Sequence, residues 1–317
     1  MSASTNTAGP SQGRRNLGDL LFAAAAGGLG WFVLLLLSAI VVSLLVGGLP
    51  SFRAFGLHFL WSTDWNPVTQ RFGAGVSIFG TLVTSALALL LAVPIAFGIA
   101  FFLTEIAPEW MRRPVGIAIE LLAAIPSIIY GMWGFFVIVP IMGQMVMPWL
   151  SDTFANVPLL STLFGGAPFG TGILTAALIL AVMVIPFIAA TMRDVFATVP
   201  AVYKESAYGV GCTTWEVMRS IVIPYTHISV MGGIMLGLGR ALGETMAVTF
   251  VIGNANRIAS SLFDPGNTIA SLVALEFPES PAGSLKLSSL LALGFILFVI
   301  SFIVLAVSRL LLRPRPV

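Results

Sequence analysis

Long apolar runs dominate the chain, and polar residues collect in the short stretches between them. Six runs reach the roughly 20 residues that a helix needs to cross about 30 Å of hydrocarbon. They are Leu20 to Val46, Val76 to Leu103, Val115 to Met142, Gly170 to Thr191, Ile221 to Ile252 and Leu287 to Leu312. The pattern predicts an all-α, polytopic membrane protein with six transmembrane helices. Arg14 and Arg15 precede the first run in the manner of a secretory signal. Its apolar length exceeds the roughly 7 to 15 residues of a signal core, so it is read as a retained anchor. The expected layout is a tail over 1–19, a first helix and outer loop over 20–75, a membrane domain over 76–312 and a tail over 313–317.

Composition strengthens that picture. The chain is 58% hydrophobic and 9% charged, against roughly 25% charged residues in soluble domains. Too little charge remains to disperse a soluble surface, so lipid must cover most of it. A formal net charge of +2 gives no footprint for nucleic acid. Cys212 is the single cysteine, which excludes a disulfide framework and a multi-thiolate metal site. His58 and His227 stand far apart, and no metal site is expected.

Lysine and arginine concentrate in cytoplasmic loops, so their positions orient the chain. With the N-terminus inside, the inner segments hold Arg14, Arg15, Arg112, Arg113, Arg193, Lys204, Arg219, Arg309, Arg313 and Arg315. The outer segments hold only Arg53, Arg71, Arg257 and Lys286. Both termini are predicted to be cytoplasmic, and so is the loop over 200–224. Glu120, a little beyond the Arg112 and Arg113 pair, is read as a carboxylate snorkelling at the interface.

The loop over 200–224 carries more pattern than a connection requires. Pro200 suits the start of a helix, and Val202, Ala207 and Val210 fall among polar residues as in a short amphipathic helix outside the lipid. Gly209 and Gly211 permit a sharp turn. Thr213 with Glu216 has the spacing of a capping box, so a second helix restarts there, and Pro224 marks a bend. On residues alone, an ordinary interfacial loop and a protein-docking element both fit.

The fifth run is the most informative of the six. Gly233 and Gly237, like Gly239 and Gly243, stand four apart, the spacing at which small residues let helices approach closely. Arg240 and Glu244, also four apart, are expected on one helical face. A straight helix from Ile221 places Arg240 about 28 Å along its axis. A charge at such depth is tolerated when it is paired or faces a watery cavity. Two readings stand: a structural ion pair, or an anion pathway in which Arg240 meets an oxyanion and Glu244 limits how tightly it is held.

Spacing then brings in a resemblance. Glu205, Ala207, Gly211, Ile221 and Pro224 match the "EAA" loop of ABC importer permeases, with Ser206 where the name-giving pattern has Ala. "GLGRALGETMAV", Gly237 to Val248, "LLAAIPSIIYGMWG", Leu121 to Gly134, and "WNPVTQRFGA", Trp65 to Ala74, resemble the phosphate-specific ABC importer permeases. The resemblance implies a type I ABC importer permease of the bacterial inner membrane. Glu205, Ser206, Ala207, Gly211, Ile221 and Pro224 would couple it to an ATPase, and Arg240, Glu244 and Thr245 would line the phosphate pathway. It also implies a PstA-like second permease, two ATP-binding subunits and an external phosphate-binding protein. Pro126 and Gly131 are placed to break the third run.

No Gly-x-x-x-x-Gly-Lys-Ser/Thr occurs, and Lys204 and Lys286 lie outside any glycine-rich loop. No cofactor is expected on this chain, and ATP would be used by a partner subunit. No nucleophile, base and orienting group form a recognisable set, so an enzyme is not expected. The rivals are a permease for another oxyanion, such as molybdate or sulfate, and an ion-coupled secondary transporter, which would leave the cytoplasmic loop without a role.

Overall fold

The computed structural model describes residues 17–311, so Arg14, Arg15, Arg313 and Arg315 lie outside the described residues. Among the described residues, six helices are long and apolar enough to cross a membrane. Each closes its own backbone hydrogen bonds, as hydrocarbon demands. The first span is Leu17–Phe55, and the second is Gly75–Phe101, prolonged by a wider π-type turn over Phe102–Ile106. The third is Ser127–Phe154, the fourth Ile173–Ala197, the fifth Thr214–Leu242 and the sixth Leu285–Leu311.

Two spans differ from the expected runs. The third does not begin at Val115. Glu109–Ala123 is a separate helix that buries Gly116 and Ile119, and Pro126 stands in extended backbone before the span restarts at Ser127. Proline removes an amide donor and crowds the preceding turn, so a continuous apolar stretch still breaks there. The Tyr130 hydroxyl bridges the break by donating to the Leu122 carbonyl at 2.9 Å. The fifth span does not reach Ile252. It stops at Leu242, and a short helix, Met246–Val251, follows after Gly243–Thr245.

The fourth span forms the centre, with 67% of its most apolar window buried. Ala88, Ala92, Ala96 and Ala100 recur every four residues along the second span and are buried in one cluster with Ile179, Leu180, Met183, Val184, Ile188 and Met192 of the fourth. Small residues on one helix make a groove that the bulky residues of the other fill. Gly233 and Gly237 of the fifth span close on the fourth in the same way, since a Cβ at either would meet Thr191 Cγ2 or Ile188 Cδ1 at 2.8 Å. Gly239 and Gly243 touch no neighbouring span within the chain.

A cap closes one end of the bundle. A short hairpin pairs Trp65 with Phe72 and Asn66 with Arg71, and Phe59, Phe72, Ile269, Leu272, Leu290 and Leu293 form a second buried cluster beneath it. Helix Ile269–Glu276 starts with a capping box between Thr268 and Ser271. Its first amide, Ile269 N–H, donates to Thr81 Oγ1 of the second span at 2.9 Å.

Candidate functional site

Two places gather the residues singled out above. In the loop over 200–224, helix Ala201–Gly209 is followed by Gly211 with φ of +91°, a left-handed conformation that favours glycine. Thr213 and Glu216 then form a complete capping box: Glu216 Oε2 accepts from Thr213 N–H at 2.7 Å, and Thr213 Oγ1 accepts from Glu216 N–H at 3.4 Å. The fifth span starts on that cap. Its early turn over Met218–Val222 is of the wider π type and leads directly to Pro224.

Only part of the amphipathic face points into the chain. Ala207 is buried, whereas Val202 is 68% and Val210 82% exposed. Tyr203 and Trp215 are exposed as well, and so is Glu205. Ser206 turns its hydroxyl back onto the Val202 carbonyl at 2.7 Å. Lys204 does not join this outward face. Its ammonium lies 2.5 Å from Glu105 Oε1 at the C-terminal end of the second span. Sequence reasoning missed that partner, and a lone carboxylate in "FFLTEIAP" was the available signal. Glu120 is likewise not simply snorkelled, because Arg193 binds it at 2.6 Å and also holds Asp194 at 2.8 Å. Gly116 leaves room for that guanidinium.

The second place is the break in the fifth span. Arg240 sits in the last helical turn, but Glu244 lies beyond it, so the two do not share a helical face as expected. Among the described residues they form no ion pair. Glu244 Oε1 instead accepts the Ala247 amide at 3.2 Å, capping the short helix that follows. Thr245 donates its hydroxyl to the Gly243 carbonyl at 3.3 Å, and its own carbonyl accepts from Thr249 N–H at 3.0 Å. The helix ends at Leu242, and the Glu244 carboxylate, one residue before the N-cap Thr245, accepts an amide of the next helix where a periodic reading continues the first.

The two broken helices meet. A Cβ on Gly131 of the third span would touch Ala247 Cα at 3.0 Å and the Met246 carbonyl at 3.1 Å. Arg240 is exposed on the single chain, and Glu244 and Thr245 are half-buried. Irregular backbone at membrane depth persists where protein or a wet cavity covers it. The break therefore offers one guanidinium with no ion-pair partner among the described residues, beside a carboxylate that accepts a backbone amide, while the Tyr130 and Thr245 hydroxyls already donate to carbonyls.

This architecture is that of a polytopic membrane protein with a helix-turn-helix projection between its fourth and fifth spans. Residues 92–314 match the model of the binding-protein-dependent transport system inner membrane component, and the chain belongs to that family. It is 60% identical over 294 residues to the phosphate transport system permease protein PstC of Pasteurella multocida, covering 93% of this chain and 91% of that protein. It is 56% identical to PstC of Mesorhizobium japonicum, covering 93% and 90%. The fold is also similar to the crystal structure of a bacterial alginate ABC transporter in complex with an alginate pentasaccharide-bound periplasmic protein. That match has a TM-score of 0.59 at 16% identity, covering 94% of this chain and 97% of that one.

Proposed function

We propose that the chain is the PstC-type permease of an ATP-driven phosphate importer. The reading is carried by Arg240, an exposed guanidinium at a helix break within an apolar span, in a chain 60% identical to a phosphate permease. A charge at that depth is costly unless something pairs with it, and a transported oxyanion does so transiently. The exposed side of the break is covered by a PstA-like permease, against which Gly239 and Gly243 pack. Glu205, Ser206, Ala207, Gly211, Ile221 and Pro224 form the coupling segment. Val202, Tyr203 and Val210 give it an apolar surface for one of two separate ATP-binding subunits. An external phosphate-binding protein delivers substrate to the outer cap, and both termini are cytoplasmic.

Mechanistically, ATP-driven closure of the partner subunits moves helix Ala201–Gly209. That helix continues into the fifth span through the Gly211 turn, and the far end of the span carries Arg240 to and from the pathway. Glu244 is held by the Ala247 amide, which keeps it off Arg240 and leaves the guanidinium for phosphate.

The test is radiolabelled phosphate uptake in phosphate-limited cells that have no second importer. Deleting the chain should abolish uptake, and excess sulfate or molybdate should leave the intact strain unaffected. Arg240→Gln should lower flux about tenfold or more, the scale of one lost charge-assisted hydrogen bond, with normal assembly. Uptake that persists in the deletion strain, or competition by molybdate, defeats the phosphate reading. Wild-type flux in Arg240→Gln leaves that side chain structural.

A further inference from the structure

The coupling helix is joined covalently to the fourth span before it and the fifth span after it. Its one charged tie runs elsewhere. Lys204 reaches Glu105 at 2.5 Å, and their side chains are only 17% and 6% exposed. Neighbouring cations do not compete for this carboxylate: Arg193 is held by Glu120 and Asp194, and Arg112 donates Nε–H to the Ala107 carbonyl at 2.7 Å. All three cations line one small cavity with Leu103, Thr104 and Ala197. A buried pair of this kind adds little net stability but strongly resists the removal of one partner, so it specifies where two elements meet.

Glu105 lies in the wider turn Phe102–Ile106 that ends the second span. From there one helical stretch of 32 residues, Gly75–Ile106, with Pro94 inside it, runs to the outer cap, about 48 Å at about 1.5 Å per residue. At the far end Gly80 lies against the Asn267 carbonyl, and Thr81 accepts the first amide of helix Ile269–Glu276. Asn267 continues the chain of bonds outward, donating to Asn256 Oδ1 at 2.9 Å and accepting from Ser271 at 2.5 Å. The second span is thus held by directed contacts at both ends, and packs on the central fourth span between them.

We infer that Lys204 and Glu105 are positioning residues that clamp the coupling helix to the second span, so that this span carries the ATPase stroke to the outer cap as a rigid rod. The inference rests on the coupling role assigned to helix Ala201–Gly209 and goes beyond it, because it selects the second span, which is not the helix's neighbour in sequence. The clamp does not touch substrate. Its loss should therefore waste ATP and leave substrate recognition unchanged.

The experiment uses the complete importer, purified with its second permease and ATPase and reconstituted in liposomes with phosphate-loaded binding protein. Phosphate transported per ATP hydrolysed is measured on assembled complexes. Lys204→Met should lower that ratio about fivefold or more, the usual size of a coupling effect, while the KM for loaded binding protein stays put. Lys204→Arg should keep it near wild type. If Lys204→Met does not assemble, the reversed pair Lys204→Glu with Glu105→Lys supplies the reading, and should couple better than Lys204→Glu alone. A wild-type ratio in Lys204→Met, or no recovery in the reversed pair, overturns the clamp. A wild-type complex that hydrolyses ATP without moving phosphate defeats the substrate reading instead, and so separates the two failures.

Discussion

The turn at Gly211 and the break at Gly243 both interrupt a helix after a glycine, yet they do so by different physics. Gly211 has a φ of +91°, and nothing crowds the place where a Cβ would stand, so its backbone needs glycine and its surroundings do not. Gly243 has φ of −93° and ψ of 2°, which any residue adopts, and a Cβ there would meet only the Gly239 carbonyl at 3.7 Å. The first glycine serves local geometry. The second has no local reason within the chain. One interruption is therefore a fixed joint, and the other is held open by its neighbours: the Glu244 cap and the third span.

The largest effect should come from closing the space between the two broken spans. Gly131→Leu places a side chain against the backbone of Ala247 and Met246. Overpacking of that kind costs about 1–3 kcal/mol. Thermal unfolding in detergent should show the loss, with phosphate flux falling further than stability because the break itself is displaced. A variant with wild-type melting and wild-type flux would mean that the third span does not support the break.

Next in size is Gly211→Ala. A left-handed L-residue costs about 1–2 kcal/mol, and no contact offsets it. The expected readout is weaker retention of the ATPase subunit on purified permease, with little change at the pathway. An Ala variant that holds the ATPase as wild type does would show that the turn relaxes to another conformation without affecting docking.

The comparison also explains what could be read from residues alone. The loop over 200–224 follows short-range rules: Pro200 before a helix, glycine at a left-handed turn, and Thr213 with Glu216 three residues later. Each signal lies within one helical turn of its effect. The break in the fifth span does not announce itself that way, because Arg240 and Glu244 keep a helical spacing across it. What ends the helix is Glu244 spending its carboxylate on the Ala247 amide, supported by Gly131 from another span. In the third run Pro126 did signal a break. Hydropathy continued through it, so Val115 to Ala123 was assigned to a span that begins at Ser127. The Lys204 and Glu105 contact joins residues 99 apart, and its one trace in the sequence, a carboxylate at the end of an apolar run, does not name the partner.

The smallest predicted effect is the sharpest test of the contrast. Gly243→Ala meets no strain and no crowding within the chain, so the isolated permease should change by no more than about 0.5 kcal/mol, the usual range for substitutions away from a defined contact. In the assembled importer the expectation differs. Gly239 lies on, and Gly243 just beyond, a helix whose Gly233 and Gly237 already pack on the fourth span, leaving these two for an approaching neighbour. If a second permease comes within small-residue distance there, an added methyl should weaken association of the two permeases while leaving the melting of the single chain unchanged. Co-purification of the two subunits reads the first quantity, and unfolding of the isolated chain reads the second. Loss of association alone assigns the glycine to the subunit interface. No change in either shows that Gly243 is dispensable and that the break depends on Glu244 and its cap.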